Sequence, residues 1–370
     1  MGKRKCFLLA VLTLLYVPSF LSADLETSGY YQNRFFLFYN KESGSRALDK
    51  KFNLGDYNRF RLQFLSSVAE NISVNLAVDF FTFHGSIKSP LGVYESPDNK
   101  DDILANLDRA HVDFYLPNFD IIVGKQRFSF GVSRFWTPID IFNRVNVFDP
   151  GEEKPGVNAL KMYIPMGNTS NLTAVFAPER KFSTSRSGFR FQSMIKGIDI
   201  GFNFFHHGER HQNIYGIDLR GENFFGWWVE AGYFTSSAGN KTKIVLGMDY
   251  TFPILSGLFW QNEFFYDESG EKNPSLYEFE NLHCGDRYTL GRTYFLSKMR
   301  MPLAKFLIGS MTYIGNWTDG SCTLNPEIQY SIAQNVSLNT GFFFSLGSSE
   351  GEFNRRENSN IFYIWLKTSF

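Results

Sequence analysis

The sequence predicts an all-β fold, a transmembrane antiparallel up-and-down β-barrel of 16 to 18 strands, 18 preferred, with one long loop folded inward. Three observations carry that expectation. Polar and apolar residues alternate in segment after segment. Short turns alternate along the chain with longer, more polar connections. No stretch offers 18 uninterrupted apolar residues, which excludes a transmembrane helix.

The chain of 370 residues begins MGKRKCFLLAVLTLLYVPSFLSA. Lys3, Arg4 and Lys5 precede an apolar core from Cys6 to Val17, and the small residues Ser22 and Ala23 follow. This is the pattern of a secretory signal peptide over 1–23, leaving a barrel over 24–370. Cys6 lies inside the apolar core without a small-residue box before it, so lipoprotein processing is not expected.

The strands follow in order. In Tyr57 to Phe64, Arg59, Arg61 and Gln63 oppose Phe60, Leu62 and Phe64. In Ser73 to Asp79, Ser73, Asn75 and Asp79 oppose Val74, Leu76 and Val78. In Arg109 to Leu116, Arg109, His111 and Asp113 oppose Ala110, Val112 and Phe114. Side chains alternate faces along a strand, so each segment has one wet and one oily face. Turn residues sit between them, at Glu70-Asn71, Pro117-Asn118, Lys196-Gly197 and Met301-Pro302 among others. The longer connections include 41–56, 85–104, 129–156 and 267–286. Short turns on one rim and long loops on the other is the layout of an outer-membrane barrel.

The physics of the two faces agrees. A strand crosses a bilayer in about 9–11 residues. No backbone donor can stay unpaired in lipid, so the sheet must close. The apolar face then meets lipid and the polar face a water-filled lumen, which reconciles 18% aromatic residues with a mean hydropathy of −0.22. Tyr30-Tyr31, Phe80, Phe224-Phe225, Trp227, Trp260, Phe264-Phe265 and Trp365 are expected in the interfacial girdles. The closing run Ile361 to Phe370 alternates and ends in an aromatic. It resembles the C-terminal strand of bacterial outer-membrane barrels, which implies recognition of Phe370 by the barrel-assembly machinery.

One segment breaks the alternation. GKQRFSFGVSRFWTPIDIFNRVNVFDPGEEKPG, residues 124 to 156, has no period of 2 or 3.6. Its aromatics argue against a fully solvated loop, and Arg127, Arg134, Asp140, Arg144 and Asp149 argue against lipid. The inner wall of a barrel suits both, so 129–156 reads as a constriction loop, an external cap being the alternative. Gly124 to Gly131, followed by Phe135-Trp-Thr-Pro-Ile-Asp-Ile-Phe-Asn143, resembles the motif of alginate-export-type barrels and related porin-like families. The resemblance implies an 18-stranded barrel and passive transport of solutes. This chain departs from the motif at Phe130, where Trp is usual.

Charge placed in the lumen sets a pore's preference. Arg59, Arg61, Arg109, Asp113, Arg127, Arg134, Asp140 and Arg144 are the candidate pore residues, with Phe135 and Trp136 of the loop. They either create a field across the constriction or pair with one another and hold loop to wall. Phe135 and Trp136 either offer a track for sugar rings or pack the loop down. Further inward acids are Asp79, Glu230, Asp249 and Glu327.

Catalytic signals are weak. There is no Gly-x-Ser-x-Gly, phosphate loop or His-Glu-x-x-His. His207, Glu209 and His211 crowd one hairpin, where a polar turn is the simpler reading than a metal site. Cys284 and Cys322 fall on the long-loop side, where a disulfide could tie two loops. Net neutrality gives no surface for nucleic acid. The expectation is a non-enzymatic outer-membrane channel without cofactor, in contact with lipid, passing small hydrophilic solutes, anionic ones among them, such as sugars or carboxylates. The alternatives are a barrel for apolar or amphipathic cargo, and a barrel-anchored rim enzyme or adhesin. Monomer and trimer look alike in sequence.

Overall fold

A computed structural model describes residues 25–39, 52–85, 103–143, 154–237, 239–254, 256–283, 289–355 and 360–370. The proposed leader, Arg144, Asp149 and Cys284 lie outside them.

The described residues form one closed antiparallel sheet of 18 strands. They are β1 Leu25–Tyr39, β2 Phe52–Ala69, β3 Ile72–Gly85, β4 Leu104–Tyr115, β5 Asp120–Gln126, β6 Val157–Met166, β7 Ser170–Ala177, β8 Arg186–Ile195 and β9 Ile198–His207. Then come β10 Gln212–Glu222, β11 Gly226–Ser236, β12 Gly239–Phe252, β13 Leu258–Asp267, β14 Thr293–Ala304, β15 Leu307–Asn316, β16 Ser321–Ala333, β17 Val336–Leu346 and β18 Asn360–Ser369. Each strand pairs with its sequence neighbours, and β1 also pairs with β18, from Tyr30–Ser369 to Tyr39–Asn360. No edge is left, so every strand finds hydrogen-bond partners on both sides. Two one-turn helices, α1 Glu280–His283 and α2 Glu352–Arg355, lie in long connections.

The strand count is the preferred one, and the long connections gather on one rim as expected, although β11 and β12 are joined there by 237–238 alone. One turn moves. The strand β14 runs through Met301 and Pro302, and the chain reverses at Lys305-Phe306 instead. Pro302 is accommodated because the β14–β15 register shifts between Pro302 and Ala304, which removes the need for a ladder donor there.

The alternation also corrects the girdle. Neighbours in a strand face opposite ways, so aromatic pairs cannot both face lipid. Tyr31, Phe264 and Trp260 lie on the outer face, whereas Tyr30 meets Arg59 and Lys367 inside, and Phe265 is fully buried under the loop. Trp365 also faces inward, with the Arg34 guanidinium 4.2 Å from its ring and Tyr363 stacked on it at 4.7 Å.

Candidate functional site in the barrel lumen

After β5 the chain leaves the wall and folds into the barrel. It makes one apolar contact on each of two wall sectors. Phe128, Phe130, Ile139 and Phe142 pack on Val175, Phe205, Ile214 and Phe234, which belong to β7, β9, β10 and β11. Phe135 and Trp136 pack on Val245, Phe265, Tyr294, Leu296 and Ile314 of β12 to β15. Trp136 is 1% exposed and stacks on Phe265 at 5.5 Å. The wall makes room with glycines. A Cβ at Gly216 or at Gly232 would come within 3.0 Å of Ile139.

Two wall carboxyls then fix the loop's backbone. Glu230 on β11 accepts the N–H groups of Val132 and Ser133 at 3.0 Å and that of Ile139 at 3.2 Å. Glu263 on β13 accepts Arg134 N–H at 2.7 Å, then Phe135 and Trp136 N–H at 3.1 Å, and the Trp228 indole N–H at 3.1 Å. A loop has no ladder of its own, and buried N–H groups need acceptors. These two side chains supply them. Gly131 lets the first cradle form, because its φ is +93° and a side chain there would overlap the Glu230 carboxyl.

Asp140 holds the loop to itself. It accepts Ser129 Oγ and Lys154 Nζ at 2.8 Å, and the backbone N–H of Phe142 at 3.2 Å and of Asn143 at 3.3 Å. Asp140 is therefore a loop staple. Arg134 turns the other way, toward the open lumen. Its Nη2 is 2.5 Å from Asp249 Oδ2 and its guanidinium lies 4.7 Å over the Trp228 ring. Arg127 is exposed just before the loop.

The opposite sector, β2 to β4, carries the arginines read from the sequence. Arg59 bonds Asp79 through Nε at 2.9 Å and Nη2 at 3.0 Å. Arg61 reaches Asp79 at 3.1 Å and Asp108 at 2.8 Å. Arg109 lies 3.7 Å from Asp108. A register shift between Ala77 and Val78 in the β3–β4 pairing leaves Asp108 outside the ladder, opposite no residue, which aims its carboxyl at Arg61. Asp113, further along β4, accepts Ser73 Oγ at 3.0 Å, and His111 Nε2 lies 3.7 Å from it. Of the expected arginines, Arg59, Arg61 and Arg109 are thus gathered with Asp113 on one sector, and Arg59 and Arg61 are buried in ion pairs with Asp79 and Asp108.

A cover closes over the loop from the long-connection rim. Phe353 of α2 joins the Phe135–Trp136 cluster. Glu352 accepts from the Tyr294 hydroxyl and from Asn316 Nδ2, the latter at 2.8 Å. Asn316 Nδ2 also bonds Asp319 at 2.9 Å and the Tyr277 hydroxyl at 3.1 Å. Burial raises the Tyr277 phenol above its usual range, with the Asp319 carboxylate adding to the effect.

Sequence reasoning missed Asp108, Glu263, Glu352 and Lys161. Two consecutive charges at Asp108-Arg109 break the alternation and mark the bulge. Gln261, Glu263, Phe265 and Asp267 form one face of β13, with an acid at its centre. His206, His207 and His211 stay in and beside the β9–β10 hairpin, where His206 Nδ1 contacts Asn213 at 2.8 Å. Among the described residues no group of three metal-capable side chains gathers. Cys322 is a free thiol among them.

No family model matches the sequence, and no curated protein matches it. Solved structures do match in fold. OccAB3 of Acinetobacter baumannii aligns with 94% of this chain and 99% of its own, at 8% identity and a TM-score of 0.61. The BenF-like porin of Pseudomonas fluorescens Pf-5 covers 95% and 99%, at 11% identity and 0.60. OccK9 (OpdG) of Pseudomonas aeruginosa covers 94% and 98%, at 10% identity and 0.61. The chain has the fold of the bacterial outer-membrane porins. In this porin fold the loop after β5 occupies the lumen, and its aromatics serve as anchors, since Phe135 and Trp136 are buried against the wall.

Proposed function

We propose that the chain is exported through the leader 1–23, inserts in the bacterial outer membrane and acts as a channel for passive diffusion of small hydrophilic solutes, anions preferred. The observation that carries this reading is the inward loop pinned to Glu230 and Glu263. A loop held this tightly narrows a barrel without sealing it by apolar gating, because its aromatics point into the wall. That same burial speaks against an apolar track for amphipathic cargo. The anionic preference is supported by Arg134, which stays partly exposed to the lumen at the loop, whereas Arg59, Arg61 and Arg109 are balanced by Asp79, Asp108 and Asp113 of their own sector. Arg144, placed at the constriction from the sequence, belongs to the same proposal. No chemical step and no cofactor is needed for diffusion.

Planar-bilayer recording tests the reading. The expected result is stable single-channel steps with a reversal potential favouring anions in a salt gradient. Absence of steps from correctly folded protein would overturn it. Steps with cation preference would overturn the anionic part alone.

A further inference from the structure

We propose that Lys161 forms a carboxylate-binding subsite in the lumen on the short-turn side of the loop, and that Asp113 restricts it to monocarboxylates. This rests on the channel reading above.

Several inward cations elsewhere in the barrel are matched. Arg61 pairs with Asp79 and Asp108, Arg134 with Asp249, Arg190 with Asp218 and Lys243 with Asp267. Lys161 on β6 is half-buried and, among the described residues, makes no hydrogen bond or ion pair. A cation partly removed from water without a partner is costly. An arriving carboxylate offsets that cost, since the nearest wall acid, Asp113, acts on Lys161 only at a distance.

Its position follows from the register. Ala159, on the same face of β6, lies under the loop's Phe128. Lys161 is one pair further toward the turn at 167–169, just past the loop. Across the sheet, Lys161 stands opposite Ile122, Ile122 opposite Asp113, and Asp113 opposite Ser73. Lys161 and Asp113 are therefore two strands apart, about 10 Å between backbones, and near enough for their charges to interact. Asp113 is held by Ser73 and flanked by His111. A solute carboxylate on Lys161 leaves any second carboxylate facing Asp113, where like charges repel. The apolar Ile122 between them suits an aliphatic body. Binding must stay weak for solute to leave.

The test uses the full-length protein in liposomes and planar bilayers, with acetate, succinate and glycerol as probes. Lys161→Gln should lower acetate flux relative to glycerol several-fold, and Lys161→Arg should retain it. Asp113→Asn should raise succinate relative to acetate. If Lys161→Gln conducts normally and both flux ratios match wild type, Lys161 is a wall residue paired through water and the proposal falls. Should that variant not fold, Asp113→Asn decides, an unchanged succinate-to-acetate ratio being the overturning result. Wild-type protein that does not conduct sinks the channel reading instead, which separates the two failures.

Discussion

The Glu263 carboxyl on β13 accepts the main-chain N–H of Arg134 at 2.7 Å, across 129 positions of sequence. The same carboxyl takes the next two N–H groups, so one side chain does for the loop what a neighbouring strand does elsewhere. Glu263→Ala leaves four donors without acceptors, the three backbone N–H groups and the Trp228 indole, each buried one costing roughly 1–3 kcal/mol. The loop should lift from β13, and single-channel conductance should rise and become noisier. Glu263→Gln keeps one acceptor oxygen and should fall between.

Gly131 is the matching requirement on the loop side. Its φ of +93° and its contact with Glu230 leave no room for a methyl group. Gly131→Ala therefore costs about 1–3 kcal/mol in backbone strain and opens the first cradle. Its conductance should resemble that of Glu230→Gln. The double variant should add little to either single one, since both break one contact.

Trp136 is the largest side chain holding the loop down. Trp136→Ala removes a ring stacked on Phe265 and leaves a cavity worth about 3–5 kcal/mol. Thermal conversion from the folded to the unfolded electrophoretic form should occur at lower temperature than in wild type.

Arg61 bridges two buried acids, Asp79 and Asp108. Removing one partner of a buried pair costs about 3–5 kcal/mol. Arg61→Ala should lower thermal stability by that route and move the reversal potential toward cations. Arg134→Ala, on a more exposed pair with Asp249, should shift selectivity with little loss of stability.

Phe370 closes the barrel as well as the chain. Its N–H and C=O exchange hydrogen bonds with Gly29 at 3.0 Å, and its ring lies 6.1 Å from that of Phe60. Phe370→Ala keeps the backbone pair, so the purified barrel should remain stable. The fraction assembled in the outer membrane should drop if the terminal ring is what the assembly machinery reads.

Period-2 patterning made the barrel legible, because a closed sheet between lipid and water forces every strand to announce its faces. The count and the two rims followed from it, and the inward loop followed from the segment that breaks it, where aromatics and charges mix. The alternation did not mark which aromatics of a doublet turn inward, hence Tyr30, Phe265 and Trp365. It also passed over Asp108, whose placement depends on a bulge, and Glu263, whose partners are backbone groups far away in sequence. The arginines of β2 could be placed on the wet face, but their pairing with Asp79 and Asp108 depends on register between strands. The resemblance of residues 124–143 to alginate-export-type barrels rests on that motif alone.

Ribosomes and translocation machinery deliver a chain from its N-terminal end, and that bears on the loop's two wall anchors. Val132 waits 98 positions for Glu230, and Arg134 waits longer for Glu263. Until β11 and β13 join the sheet, the backbone donors of the segment have no carboxyl to meet. The two cradles therefore need most of the wall in place, and a docked loop reports a correctly finished one.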